Sequence, residues 1–294
     1  MKMVVFGSLN IDKTYTLTEF VRPGQTVSAL KMEQFCGGKG FNQAIALRRA
    51  GSEVAFAGAV GQDGAMLLEA LDKNGIDRSC VRVTEGATGH AIIQLDRHGQ
   101  NCIIILAGAN GEITEADVDK TLAGFGPGDL IVLQSEIACV PQLLRKAHGK
   151  GMTVAFTPSP CDERIADCDL RCTEYLRVNE VEGAAISGQE EPDAILDTIH
   201  ARYPAMNIVL TLGSEGAVYQ PREGSRIACG AFPVQAVDTT AAGDTFTGYF
   251  LSGILRHGDA ALALRTAAAA AGLAVSRKGA EPSIPTMDEV AALL

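Results

Sequence analysis

The stretch Val237-Asp238-Thr239-Thr240-Ala241-Ala242-Gly243-Asp244-Thr245-Phe246 sets three small residues directly before an aspartate. A helical pattern begins there, with Phe246, Phe250 and Ile254 four residues apart on one face. Small residues at a helix start leave backbone N–H groups bare. Those groups have no partner inside the helix, and the dipole beside them favours negative charge. An acid in the first turn can accept a proton from a hydroxyl held next to such an anion. Ordinary helices also carry acids near their starts, so the meaning of the stretch depends on what the rest of the chain brings to it.

Short apolar runs recur on both sides of the chain's middle. Residues 3–6, 54–59, 130–133, 153–156, 175–178 and 207–211 read as buried strands. Each ends in polar or glycine-rich residues. These ends are Gly7-Ser8-Leu9-Asn10-Ile11-Asp12, Gly61-Gln62-Asp63-Gly64, Gln134-Ser135-Glu136, Thr157-Pro158, Asn179-Glu180-Val181-Glu182 and Leu212-Gly213-Ser214-Glu215-Gly216. Helical patterns separate them, at 65–74, 114–123, 140–148, 193–203 and 259–275. Thr114 with Asp117 is a capping-box variant. The alternation predicts an α/β fold with a doubly wound, mainly parallel sheet covered on both faces. In such a sheet the strand ends share one edge, where Asp12, Glu136, Asn179 and Gly213 converge.

Other segments fall outside that pattern. Residues 13–17 and 26–35 alternate around a Pro23-Gly24 turn. Residues 90–96 and 101–106 alternate around Arg97-His98-Gly99-Gln100, a hairpin signal. Together they predict a small added sheet. Gly37-Gly38-Lys39-Gly40-Phe41-Asn42 then opens a helix that runs to Ala50, and its glycines allow close approach of a ligand. It is not the phosphate loop G-x-x-x-x-G-K-[ST], because Glu33 stands where the first glycine belongs. Nor does Gly7-Ser8-Leu9-Asn10 supply the dinucleotide fingerprint, which sets aside a dinucleotide oxidoreductase.

The 294 residues are 47% hydrophobic and 5% aromatic, enough for a large aliphatic, alanine-rich core without covalent staples. A net charge of −10 without a basic run argues against nucleic acid and anionic membranes as partners. The eight cysteines lack zinc spacing and read as free thiols. The first apolar run is too short for a signal peptide, and none approaches the ~20 residues of a membrane span. The expectation is a cytoplasmic protein.

Gly37-Gly38-Lys39-Gly40-Phe41-Asn42 together with Asp238-Thr239-Thr240-Ala241-Ala242-Gly243-Asp244 resembles the paired signature of the ribokinase-like carbohydrate kinases, the PfkB family. Gly7 to Asp12, Asn179-x-x-Glu182, Thr211 to Gly216 and Arg277-Lys278-Gly279-Ala280 match in the same order, so the resemblance spans nearly the whole chain. It implies a single domain over residues 1–294, with a β-sheet lid formed by 13–35 and 88–106. It implies transfer of the γ-phosphate of ATP to a primary hydroxyl of ribose or a similar small sugar or nucleoside. Asp244 would be the base, and the amides of Ala241, Ala242 and Gly243 the anion hole. Asn10, Asp12, Gly38, Lys39, Gly40, Asn42 and Glu136 would grip the sugar. Thr211, Leu212, Gly213, Ser214, Glu215 and Gly216 would line the nucleotide. Asn179 and Glu182 would organise Mg2+ through water. Asp238, Thr240, Ala274, Arg277, Gly279 and Ser283 would hold an activating K+. The lid would also pair two subunits. A non-catalytic sugar sensor on the same fold would be expected to lack Asp244 or the anion-hole residues, which are present. Four positions depart from the family pattern. Phe41 replaces a usual Ala and is expected to reshape the sugar pocket. Thr157 replaces Asn, Leu106 stands where a polar residue is frequent, and Ala268 lies where a polar residue often nears the adenine.

Overall fold

The computed structural model describes residues 1–98 and 100–294. Gly99, assigned above to the hairpin turn, lies outside the described residues. The main sheet is built from β1 (Met3–Phe6), β4 (Ala55–Val60), β5 (Asp77–Val83), β8 (Leu130–Gln134), β9 (Thr153–Thr157), β10 (Tyr175–Asn179), β11 (Asn207–Thr211), β12 (Ala217–Gln220) and β13 (Ile227–Cys229). Their spatial order is β13-β12-β11-β10-β9-β8-β1-β4-β5. The run from β11 to β5 is parallel throughout, and β12 and β13 add an antiparallel edge.

Burial alternates along the strands with period two. Val5 of β1 and Leu130 and Val132 of β8 enter one core; Val4, Phe6, Ile131 and Leu133 enter the other. The first core is covered by α1 (Lys39–Arg49), α2 (Ala65–Lys73), α7 (Ala242–His257), α8 (Ala260–Val275) and α9 (Met287–Ala291). The second is covered by α3 (Glu115–Leu122), α4 (Val140–Gly149) and α6 (Pro192–Arg202), with α5 (Glu180–Ser187) between β10 and α6. Both faces are therefore dry, and each fully buried Leu or Ile contributes about 1.5–3 kcal/mol. Small residues set the helix spacing on the first face. Ala267, Ala269 and Ala270 of α8 are fully buried. A Cβ on Gly248 of α7 would lie 2.4 Å from Ala46 Cβ of α1, so these two helices touch at close range.

A second sheet has the order β3-β2-β6-β7, with β2 (Asn10–Thr16), β3 (Lys31–Gly37), β6 (Gly89–Leu95) and β7 (Asn101–Leu106). Only three residues separate β1 from β2, so the chain passes straight from the main sheet's carboxyl edge into the second sheet. Strand β3 begins at Lys31 rather than at residue 26. Leu30 N–H donates to Thr16 O, the last residue of β2, and residues before it have no neighbouring strand to pair with.

Four further elements depart from the sequence reading. Strand β5 was not anticipated, because an edge strand with alternating charges gives no apolar run. The antiparallel β12 and β13 are short and broken by turns. Asn179 to Glu182 is not a loose strand end. It opens α5 through a reciprocal capping box, in which Asn179 Oδ1 accepts from Glu182 N–H at 2.8 Å and Glu182 Oε2 from Asn179 N–H at 2.9 Å.

Candidate active site

The carboxyl ends of β1, β8, β9 and β10, the start of α1 and the start of α7 enclose an open cleft of about 870 Å3. One wall is the second sheet, and the pleat decides which residues face inward. Asp12 and Thr14 of β2, Ala91, Ile93 and Leu95 of β6, and Asn101, Ile103 and Ile105 of β7 alternate into it. The opposite wall carries Gly38, Lys39, Asn42, Glu136, Asn179, Glu182, Asp238, Thr240, Ala241, Gly243 and Asp244.

A second cavity, of about 530 Å3, adjoins the first across α7. Thr211, Gly213, Ser214 and Gly216 line it together with Phe232, Val234, Ala242, Ala268 and Gly272. Gly243, Thr239, Ala236 and Arg177 face both spaces. The start of α7 is therefore the point where the two meet.

Among the described residues, no side chain caps α7. Its N-cap residue, Ala241, has φ of 60°, a left-handed conformation that costs an alanine about 1 kcal/mol. Ala242 N–H makes a long bond to Thr239 O at 3.3 Å. Among the described residues, the N–H groups of Ala241, Gly243 and Asp244 make no hydrogen bond. The result is a strained turn presenting free amides to the junction, with Asp244 in the first turn behind them.

The Asp244 carboxylate is held by α1. Asn42 Nδ2 donates to its Oδ2 at 3.1 Å, and Gln43 Nε2 to its Oδ1 at 3.0 Å. Gln43 is oriented in turn by Gln134, whose Nε2 donates to Gln43 Oε1 at 2.7 Å. This relay runs from β8 through α1 to α7, and it leaves the carboxylate oxygens as acceptors toward the cleft.

A second cluster lies at the far end of the cleft. Glu136 Oε2 accepts from Ser8 Oγ and, at 2.9 Å, from Lys39 N–H. Asn10 Oδ1 accepts from Asn110 Nδ2 at 2.8 Å, which fixes the Asn10 side chain at the mouth of β2. Burial raises the Asp12 carboxyl to about 7, and the negative charge of Glu136 adds to the shift. Burial also raises Glu136, against the pull of Lys39 and Ser8.

The loop carrying the first stretch is tied to the end of α8. Asp238 Oδ1 accepts from Thr240 N–H at 2.9 Å and from its hydroxyl at 2.6 Å, and Oδ2 accepts from Gly279 N–H at 2.9 Å. Ser283, fully buried, donates to Ala280 O at 2.7 Å. Ala274 lies in the last turn of α8, and the Arg277 guanidinium turns outward to Glu289 at 2.7 Å.

One part of the sequence reading needs correction, and three of its candidate site residues lie away from the cavity walls. Phe41 does not shape the pocket: its ring is fully buried in the core under α1, because helix phase points it away from the cleft while Asn42 faces in. Gly40 does not line the cleft either; it sits beneath, against the end of β1. Leu212 packs into the core below the Gly213 turn, and neither it nor Glu215 lines the second cavity. Gln43, Gln134, Asn110 and Arg177 were missed. Arg177 was the detectable one, a lone cation within the apolar run 175–178.

The model of the pfkB family of carbohydrate kinases matches residues 1–287. The chain belongs to this family. It is similar to the ribokinase of Haemophilus influenzae, 33% identical over 98% of this chain and 96% of that protein. The ribokinase of Schizosaccharomyces pombe is 34% identical over 99% of this chain and 96% of that protein. Among solved structures, Arabidopsis thaliana ribokinase with ribose and ATP superposes with a TM-score of 0.87 at 31% identity, covering 99% of this chain and 98% of that one. The enzyme is an ATP-dependent carbohydrate kinase. Among the described residues, no helix is long and apolar enough to cross a membrane.

Proposed function

We propose that the enzyme phosphorylates the primary hydroxyl of ribose, giving ribose 5-phosphate and ADP. The observation that carries this reading is the meeting of two cavities at the uncapped start of α7, with Asp244 facing the polar one. The sugar lies in the cleft under the second sheet, and ATP lies in the adjoining cavity with its triphosphate directed at α7. The sugar hydroxyl oxygen forms a bond to the γ-phosphorus as the bond to the β,γ-bridging oxygen breaks. ADP leaves with that electron pair, and the hydroxyl proton passes to Asp244. Free amides at Ala241 and Gly243 and the helix dipole stabilise charge that grows on the phosphoryl oxygens. Phosphoryl transfer has a loose transition state, so a carboxylate that orients the hydroxyl and takes its proton late is sufficient.

Asn10, Asp12, Gly38, Lys39, Asn42 and Glu136 bind sugar hydroxyls, and the second sheet closes over them as a lid that excludes water. The outer edge of that lid is strand β7, whose six residues are all exposed and include Ile104 and Leu106. A second copy of the chain covers this edge in a homodimer; a monomer at micromolar concentration in sedimentation would remove that part of the reading.

The residues present fit two cations. Asn179 and Glu182 line the first cleft, but one Glu182 oxygen is engaged in the capping box, and among the described residues no three acidic, His or Cys side chains could hold a metal together. These two would therefore hold Mg2+ through water, where it would neutralise phosphate charge. Asp238, Thr240 and Ser283 offer side-chain oxygens, and Ala274, Arg277 and Gly279 backbone carbonyls, on two segments bound to each other, a set that suits K+.

The test is ATP turnover with Mg2+ across ribose, 2-deoxyribose, fructose and nucleosides, each with KCl or with tetramethylammonium chloride. The expected result is the highest kcat/KM with ribose, raised by KCl. Preference for another sugar would replace ribose, and an equal rate in both salts would remove the K+ site.

Asp12 supplies a pH signature. A carboxyl near 7 is about nine-tenths protonated at pH 6 and nine-tenths ionised at pH 8. The ionised form accepts two sugar hydroxyls, so affinity falls as pH drops through the raised pKa. Ribose affinity measured by calorimetry is expected to be about tenfold weaker at pH 6 than at pH 8, with the difference lost in Asp12→Asn. A flat profile in the unaltered enzyme would refute the role of Asp12.

A further inference from the structure

Arg177 stands in the centre of β10, between Leu176 and Val178, which are both fully buried in the second core. Strand alternation turns it to the opposite face, beneath the start of α7. There its guanidinium lies against the first turn of the helix: a Cβ built on Gly243 would be 2.5 Å from its Nη2. It borders both the sugar cleft and the nucleotide cavity.

Its own bonding is incomplete. Of five N–H donors, Nη2 reaches Thr211 Oγ1 at 3.0 Å, and Nε has no partner among the described residues. Nη1 stands 3.7 Å from Glu182 Oε2, an ion pair too long for a hydrogen bond, and that same oxygen already accepts the Asn179 N–H. Only 15% of the side chain is exposed. Burial alone works against the charge, and the carboxylates of Glu182 and Asp244 oppose that effect. A buried guanidinium with open donors, placed beside the positive end of a helix, is poorly satisfied without an anion between them. The planar fork matches a phosphoryl group and can hold two of its oxygens at once.

We infer that Arg177 is a catalytic residue whose guanidinium holds the transferring phosphoryl group of the nucleotide, side by side with the free amides of Ala241 and Gly243. It rests on the kinase site proposed above. Arg177 keeps its protons throughout; it contributes charge and orientation, while Asp244 receives the hydroxyl proton. The alternative is a purely structural partner of Glu182 and Thr211.

The two roles separate in the kinetics. In Arg177→Met, kcat with ATP and ribose is expected to fall about 100-fold, as for removal of one transition-state charge partner. ATP affinity is expected to fall about tenfold, while adenosine and ribose affinities and the melting temperature hold. Arg177→Lys keeps a charge without the fork and is expected to lose about tenfold in kcat. Millimolar guanidinium chloride, compared with sodium chloride, is expected to restore part of the turnover of Arg177→Ala. A kcat within threefold of the unaltered enzyme in Arg177→Met overturns the inference. So does equal weakening of adenosine and ATP, which marks a structural role. Should Arg177→Met not fold, Arg177→Lys decides, and a rate within twofold overturns the inference. If the unaltered enzyme turned over none of the sugars, the reading of the site itself would fail; unaltered activity with an indifferent Arg177 would defeat only this step.

Discussion

Asp244→Asn is expected to lower kcat by about 10^3- to 10^4-fold while ribose and ATP still bind, because general-base assistance and hydroxyl orientation are lost together. The substitution keeps the shape of the side chain but replaces one acceptor oxygen with an NH2 group. Both carboxylate oxygens now accept from amide donors, Asn42 Nδ2 and Gln43 Nε2. One of those donors would face another donor, or Asn42, whose own carbonyl oxygen has no partner among the described residues, would turn over and leave its NH2 unmatched instead. Gln43 cannot simply flip, since its own carbonyl oxygen accepts from Gln134. A buried donor left unmatched costs about 1–3 kcal/mol. For a chain of 294 residues that corresponds to a fall in melting temperature of a few degrees. Single-turnover measurements separate the effects: a stable, ligand-binding variant with a slow chemical step supports the base. Turnover within tenfold of the unaltered enzyme would remove Asp244 from the chemistry.

This relay also shows what was legible in the sequence. Asp244 and its small neighbours announced themselves by spacing, and the strand ends by their polar tips after apolar runs. The parallel sheet followed from the same alternation, since a strand buried on both faces needs a continuous apolar run. Gln43 and Gln134 could not be read this way. Each is a single polar residue within an amphipathic or apolar segment, and its role exists only because α1 and β8 pack beside α7. Phe41 misled for a related reason. It stands between Lys39 and Asn42, which face the cleft, yet helix phase sends it into the core. Strands β5 and β13 were invisible because edge strands need no apolar run, and β12, at four residues, is too short for a clear alternation. Arg177 broke the pattern of its strand, and a charged residue at a core position is the kind of local conflict that marks a site.

Gly40→Ala tests how the sugar side of the cleft is positioned. Gly40 does not touch the cleft, but its Cα packs on the end of β1. An added Cβ would lie 2.5 Å from Ser8 N, 2.6 Å from Gly7 Cα and 2.7 Å from Gly7 C, all backbone atoms. Nothing flexible can yield there, so the start of α1 must move by about 1 Å to reach ordinary contact. Ser8 is bonded to this turn twice, accepting from Gly40 N–H at its hydroxyl at 3.2 Å and from Phe41 N–H at its carbonyl at 3.0 Å. Lys39 N–H holds Glu136 from the same turn, and Asn42 holds Asp244 from the next. One methyl group therefore displaces both ends of the sugar site. A misplacement of that size costs about 10^2-fold in rate, and overpacking about 1–3 kcal/mol in stability. The expected result is a 10^2- to 10^3-fold loss in kcat/KM for ribose, roughly the two site effects combined. Nucleotide affinity should hold, because no residue of that turn borders the second cavity. Gly149→Ala, where a Cβ meets nothing within 4 Å, is the matched control and should leave both unchanged. If Gly40→Ala behaved like that control, the start of α1 would be free to shift without consequence, and the sugar site could not depend on its register against β1.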